Sequence, residues 1–238
     1  MKTLLFSALV LIPAFSSAQS STPQENFAAV VSNSSGSART AVAGLIPKKT
    51  KGLYGFINQN SKTVIAPAYS NVGFFTEECT LLNSPNEQVR LYGSDNYASV
   101  IKNGKDYRID KTGKTVYEFK KADLGKCSNA FVKQVYYGYS ENGKFGISKT
   151  VQSTGAKYMQ IAPQYQLVHV MEGNDVENPM ILVVKDDKFG VVDKDNNIVV
   201  PVVYADIKRN FSWKLAGLFE VTKDGNNYFF VDTRNNRY

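Results

Sequence analysis

Histidine, cysteine and tryptophan are scarce in this 238-residue chain, with one His, two Cys and one Trp. Two isolated cysteines and one histidine cannot supply a zinc site of ordinary ligand number. The single histidine, His169, falls in an irregular stretch after Tyr165 and reads as an ordinary polar residue. No glycine-rich loop is arranged to cradle a phosphate. Beyond residue 18 no apolar run approaches the roughly 20 residues needed to cross a hydrocarbon core, so no membrane span is expected. From Lys51 onward no stretch keeps an apolar 3.6-residue period for three turns, which predicts little helix. Two imitations of catalytic or metal motifs fail on spacing. Ser99 and Lys102 have a Ser-x-x-Lys interval, but in a strand that odd separation puts them on opposite faces. Asp193, Asp195 and Asn197 resemble the start of a calcium loop, yet Ile198 stands where Gly is required and Tyr204 where Glu is required, so a hairpin turn is expected there. No catalytic, cofactor-binding or metal residues are assigned, and no cofactor is called for.

What is present begins with an export signal. Lys2, an apolar run from Leu4 to Phe15 and the small residues Ser16-Ser17-Ala18 have the layout of a cleavable signal peptide over residues 1–18. Residues 19–46 then form a Ser/Ala/Asn-rich leader, too poor in large apolar residues to offset its ordering entropy, although Ala41 to Pro47 could make a first contact or edge strand. The formal charge of +7 is carried mostly in turn-like stretches and reads as solvated charge, with Lys48, Lys49 and Lys51, or Lys120, Lys121 and Lys126, as the best clusters for an acidic surface.

Residues 47–238 repeat themselves. One unit runs Leu53-Tyr54-Gly55-Phe56-Ile57-Asn58, a turn, then Thr63 to Tyr69; another runs Lys188-Phe189-Gly190-Val191-Val192-Asp193, a turn, then Ile198 to Tyr204. Between them, Phe145-Gly146-Ile147 opens a longer copy that ends at Tyr165, and Asp106-Tyr107 marks an eroded one. Tyr228-Phe229-Phe230-Val231-Asp232 is a partial final copy. Equivalent positions Tyr54, Asp106, Phe145, Phe189 and Tyr228 lie 52, 39, 44 and 39 residues apart. Each later unit has a preceding strand joined by Asn103-Gly104, Asn142-Gly143, Asp186-Asp187 or Asp224-Gly225. Such pairs favour the type I′ turn, whose central residues both need positive φ. Three antiparallel strands per unit are expected, arranged as an all-β open stack of tandem meanders; a closed propeller is the architectural alternative, disfavoured by the absence of a fourth strand.

These units resemble the WG repeat family, whose unit reads Gly-Lys-Trp-Gly-Phe-Ile-Asp, a Lys-Thr-Gly-Lys turn, then Val-Ile-Pro-Pro-x-Tyr-Asp. The resemblance covers nearly all of Lys51 to Tyr238, with Tyr54, Phe145 and Phe189 in place of the Trp and with Asp106 breaking the pattern. It implies a binding or scaffold module with no catalytic residue to carry over.

A unit of about 40 residues cannot bury its own apolar face. The pairs Tyr54-Gly55, Phe145-Gly146 and Phe189-Gly190 are therefore expected to pack between units, along with Tyr228. Tyr69, Tyr165 and Tyr204 are expected to be buried with their hydroxyls tied to neighbouring backbone groups. Cys79 and Cys127 are a disulfide candidate in an exported chain, with two separate buried thiols as the alternative. The expected function is a non-catalytic, exported protein-interaction or scaffold module, periplasmic or extracellular. A binder of glycan or envelope polysaccharide ranks second and a hydrolase third. The partner is unknown, and no nucleic acid is expected.

Overall fold

The computed structural model describes residues 41–128, 134–171 and 178–238. The expected signal peptide, and the expected leader as far as residue 40, lie outside them.

The described residues form five small antiparallel sheets, none of which closes on itself. The first contains β1 (Ile46–Thr50), β2 (Leu53–Ile57) and β3 (Thr63–Tyr69). The second contains β4 (Asn71–Phe75), β5 (Ala98–Lys102), β6 (Lys105–Ile109) and β7 (Thr115–Glu118). The third is β8 (Tyr136–Glu141), β9 (Lys144–Thr150) and β10 (Lys157–Tyr165). The fourth is β11 (Leu167–Val170), β12 (Ile181–Lys185), β13 (Lys188–Val192) and β14 (Ile198–Tyr204). The fifth is β15 (Asp206–Ile207), β16 (Phe219–Thr222) and β17 (Tyr228–Val231). Strands follow one another in chain order within every sheet, so each unit is a meander. The helices are single turns: α1 (Cys79–Leu82), α2 (Glu87–Arg90) and α3 (Ser212–Ala216).

Two features depart from three strands per unit. Directly after the closing residues Tyr69, Tyr165 and Tyr204, a one-residue break leads into β4, β11 and β15, which become the first strand of the next sheet. The second and fourth sheets therefore have the fourth strand that the sequence reading left out. The apolar run there is too short, and too close to the strand before it, to register as a separate element. The chain also enters the fold earlier than residue 47: Ile46 is fully buried, and the Ala43 N–H donates to the Ala216 carbonyl at 2.9 Å.

Turn chemistry sets the register. Asn103-Gly104, Asn142-Gly143 and Asp186-Asp187 all have positive φ at both residues, as does Lys51-Gly52, whose Lys hid it from a search for Asn or Asp. Asp224-Gly225 behaves differently. Strand β16 stops at Thr222 and β17 starts at Tyr228. The Asp224 carboxylate gathers the Asn226 and Asn227 N–H groups, which opens a longer loop instead of a two-residue turn.

The other hairpin turn recurs four times with one geometry. Asn58, Asp110, Asp193 and Asp232 each accept, on Oδ1, the N–H groups two and four residues ahead at 2.8–3.0 Å. The residue next to last in the turn takes positive φ: Ser61, Gly113, Asn196 and Asn235. Short polar side chains and glycine tolerate that conformation. This accounts for Asp193, Asp195 and Asn197 without a cation.

The closing tyrosines join units through these same turns. Tyr69 donates to the Gly113 carbonyl at 3.2 Å, Tyr165 to Asn196 Oδ1 at 2.7 Å and Tyr204 to Asn235 Oδ1 at 2.6 Å. Each ring is at most 6% exposed. One unit's last strand is thereby fastened to the left-handed turn residue of the next.

Core packing gives the order of the stack. Phe56, Ile65 and Tyr69 of the first sheet pack with Val100 and Ile109 of the second. Ile147 and Ile161 of the third pack with Ile181 and Val183 of the fourth. Val191 and Val200 of the fourth pack with Phe219 and Val221 of the fifth. Ile46 and Ile57 of the first sheet pack with Ala216, Leu218 and Tyr238 beside the fifth. The packing order is therefore third, fourth, fifth, first, second, with the beginning and end of the described array meeting inside the stack.

Candidate binding cleft

Where the first and second sheets face the fifth, the surface opens into a cleft of about 840 Å³. Its walls are built by Pro47–Lys49 of β1, residues 71–74 of β4, residues 208–212 ahead of and within α3, and residues 228–230 of β17. Phe74 meets Phe230 edge-on, ring centroids 5.7 Å apart, and ties β4 to β17 beneath it.

The floor holds Arg108, which is 1% exposed. Its Nε donates to the Tyr92 carbonyl, one Nη to Ser99 Oγ and the other Nη to the Thr76 and Ser94 carbonyls, all at 2.8–3.1 Å. These bonds fix the insertion between β4 and β5 to the second sheet. Burial pulls the guanidinium down to about 10, opposed by the charges of Glu78 and Tyr97, so it stays cationic at neutral pH. Glu78 in turn accepts from Thr80 at 2.9 Å and from Ser99 at 3.5 Å.

Around the rim, cations sit over rings. Lys49 Nζ lies 5.3 Å from the Tyr54 centroid, Lys208 Nζ 4.5 Å from that of Tyr228, and the Arg237 guanidinium 3.8 Å from that of Phe229. Lys208 also pairs with Glu220 at 2.9 Å. The Tyr228 hydroxyl donates to Asp206 at 2.5 Å; that bond, then burial, then the charges of Asp206 and Glu220 push it up to about 12. The cleft is thus an electropositive, ring-lined groove with polar hydrogen-bonding groups, chemically suited to holding an anionic or amphipathic ligand.

Of the residues singled out in the sequence, Lys48, Lys49, Tyr54, Ser99 and Tyr228 border this cleft; the other repeat positions, the two cysteines and His169 do not. The ring positions are less buried than expected. Phe145 is 38% exposed, and Tyr54, Phe189 and Tyr228 are half-buried. The reason is register: Phe145 lies one residue pair beyond the Glu141–Lys144 pair flanking the turn, at the end of its sheet. The closing tyrosines, deeper in the unit interface, carry the aromatic burial instead. The adjoining glycines are dictated by close approach. A Cβ on Gly55 or Gly146 would lie 2.3 Å from the Ile65 or Ile161 carbonyl oxygen, and one on Gly190 2.6 Å from Val202. Cys79 and Cys127 are joined in a disulfide with a Cα separation of 5.8 Å, which fastens α1 to the chain after the second sheet.

His169 lies in β11 and is half-buried; Ser99 and Lys102 occupy β5, where Ser99 serves Arg108. Among the described residues no group of three or more His, Cys, Asp or Glu side chains is placed to hold a metal ion, and no helix is long and apolar enough to cross a membrane. Arg108 and the cleft were missed by sequence reasoning. A lone Arg inside an alternating strand was the available signal.

No curated protein and no solved structure matches the chain. The model of the WG containing repeat matches residues 54–81 and 189–226. Each matched segment starts at the aromatic-Gly strand, β2 or β13, and passes through the last strand of that sheet and the first strand of the next; the second continues through α3 and β16. The chain thus contains WG containing repeats at those two segments.

Proposed function

We propose that this chain is an exported, non-catalytic interaction module that holds a protein partner in the cleft between its first and last sheets. The observation that carries this reading is the cleft itself: about 840 Å³, walled by three sheets and rimmed by cations, at the place where the two ends of the described array meet. The disulfide supports export, since such bonds persist in oxidising compartments. The test uses tagged full-length protein, exported in its own host. Envelope proteins retained by the wild type should be lost from Lys49→Glu and from Arg237→Glu, and kept by Lys157→Glu on β10, away from the cleft. Equal retention by all three variants would contradict the reading, as would a mature protein that keeps Met1 instead of starting at Gln19.

A further inference from the structure

We infer that the cleft receives an acidic, extended peptide segment of the partner, laid along the open edge of β4; this rests on the interaction reading above and names its ligand. Successive side chains of a strand point to opposite faces of its sheet. Yet Asn71, Val72, Gly73 and Phe74 all border the cleft, and every residue of β4 is half-exposed with no alternation. It is therefore the edge of β4, not a face, that looks into the groove. Strand β4 pairs with β5 alone, and the Val72 N–H is held only by the adjacent Asn71 side chain at 2.9 Å, a local bond that an incoming strand has to displace. Such an edge offers main-chain groups to an incoming strand.

Charge selects the sequence of that strand. Lys48, Lys49, Arg108 and Arg237 border the cleft, and none has a carboxylate within ion-pair distance among the described residues. Arg108 spends four of its five N–H donors within the protein, leaving one. Of the three bordering glutamates, Glu220 is engaged by Lys208 and Asn210 and Glu78 by two hydroxyls, which leaves exposed Glu77 against the four cations. A negatively charged ligand is the complement. A stacked sugar is disfavoured, because cations already cover a face of Tyr54, Tyr228 and Phe229 that a pyranose would use.

The test measures fluorescence anisotropy of a labelled synthetic peptide of alternating Glu and Val against the full mature chain. Binding should weaken with added salt. It should fall about tenfold or more in Lys48→Glu/Lys49→Glu and, independently, in Arg237→Glu, and hold in Lys157→Glu. N-methylation of alternate peptide amides should abolish it, because strand pairing needs those donors. Equal binding of a Lys-Val peptide, indifference to N-methylation, or no binding would overturn the proposal. So would oligogalacturonate binding at the same residues in place of the peptide. If the peptide fails while partner retention still depends on Lys49 and Arg237, the ligand chemistry falls and the interaction reading stands.

Discussion

The closing tyrosines and the Asx turns they reach are the residues on which unit-to-unit attachment rests. Removing one hydroxyl removes one net hydrogen bond, so Tyr204→Phe should destabilise by about 1 kcal/mol. Tyr165→Ala, which empties a ring site 6% exposed, should cost about 3–5 kcal/mol, and Phe145→Ala, at 38% exposure, far less. Urea denaturation of the three variants measures the order; a Phe145→Ala cost equal to that of Tyr165→Ala would contradict it. The turn carboxylates add a pH dependence. Asp110 is held below the usual carboxylate range chiefly by the Thr112 hydroxyl, with backbone N–H groups helping. At Asp193 and Asp232 burial pushes upward, but hydrogen bonds from Asn197 and Asn236 and from the turn backbone prevail, so both end below the range. A carboxylate with a depressed folded value contributes stability that is present above its unfolded value, roughly 4, and lost as pH falls through the folded one. Unfolding midpoints should therefore drop below about pH 4, and Asp193→Asn should flatten part of that drop.

Among the elements, the hairpins were the most legible in the sequence, because a positive-φ pair leaves a compositional mark that needs no partner to be seen. Asn103-Gly104 and Asn142-Gly143 show it. Lys51-Gly52 takes the same conformation without the mark, and Asp224-Gly225 carries the mark but opens into a loop once its carboxylate binds the Asn226 and Asn227 amides. Strands β4, β11 and β15 were not legible. Each is identified by pairing with a strand later in the chain, such as Asn71 with Ile101, and no local pattern encodes such a partner. The insertion carrying α1 and α2 is held by Arg108 and by the disulfide, whose cysteines lie 48 residues apart. In the chain-entropy model a loop of that length is worth at most about 4 kcal/mol. Cys79→Ser should lower stability toward that limit, with hydrogen exchange rising first in α1 and α2; unchanged exchange there would count against this role.

At the scale of the molecule, the array was readable as tandem units, while its packing order was not. The repeat pattern says that neighbours stack; it does not say that Ile46 and Ile57 will meet Leu218 and Tyr238. For the same reason the cleft was invisible, since it exists only where β1 and β4 confront β17. If those sheets stabilise one another, Leu218→Ala, at a fully buried site, should cost about 2–5 kcal/mol and raise amide exchange in β1 and β2 as well as in β16. Loss of protection confined to β16 would mean that the two ends fold independently.

The central claim is that partners bind at this cleft. A photo-crosslinking amino acid placed at Lys49 in the exporting cell should yield discrete protein adducts, and the same group at Lys157 on β10 should yield none. Adducts from position 157 alone, or from neither position, would contradict the account.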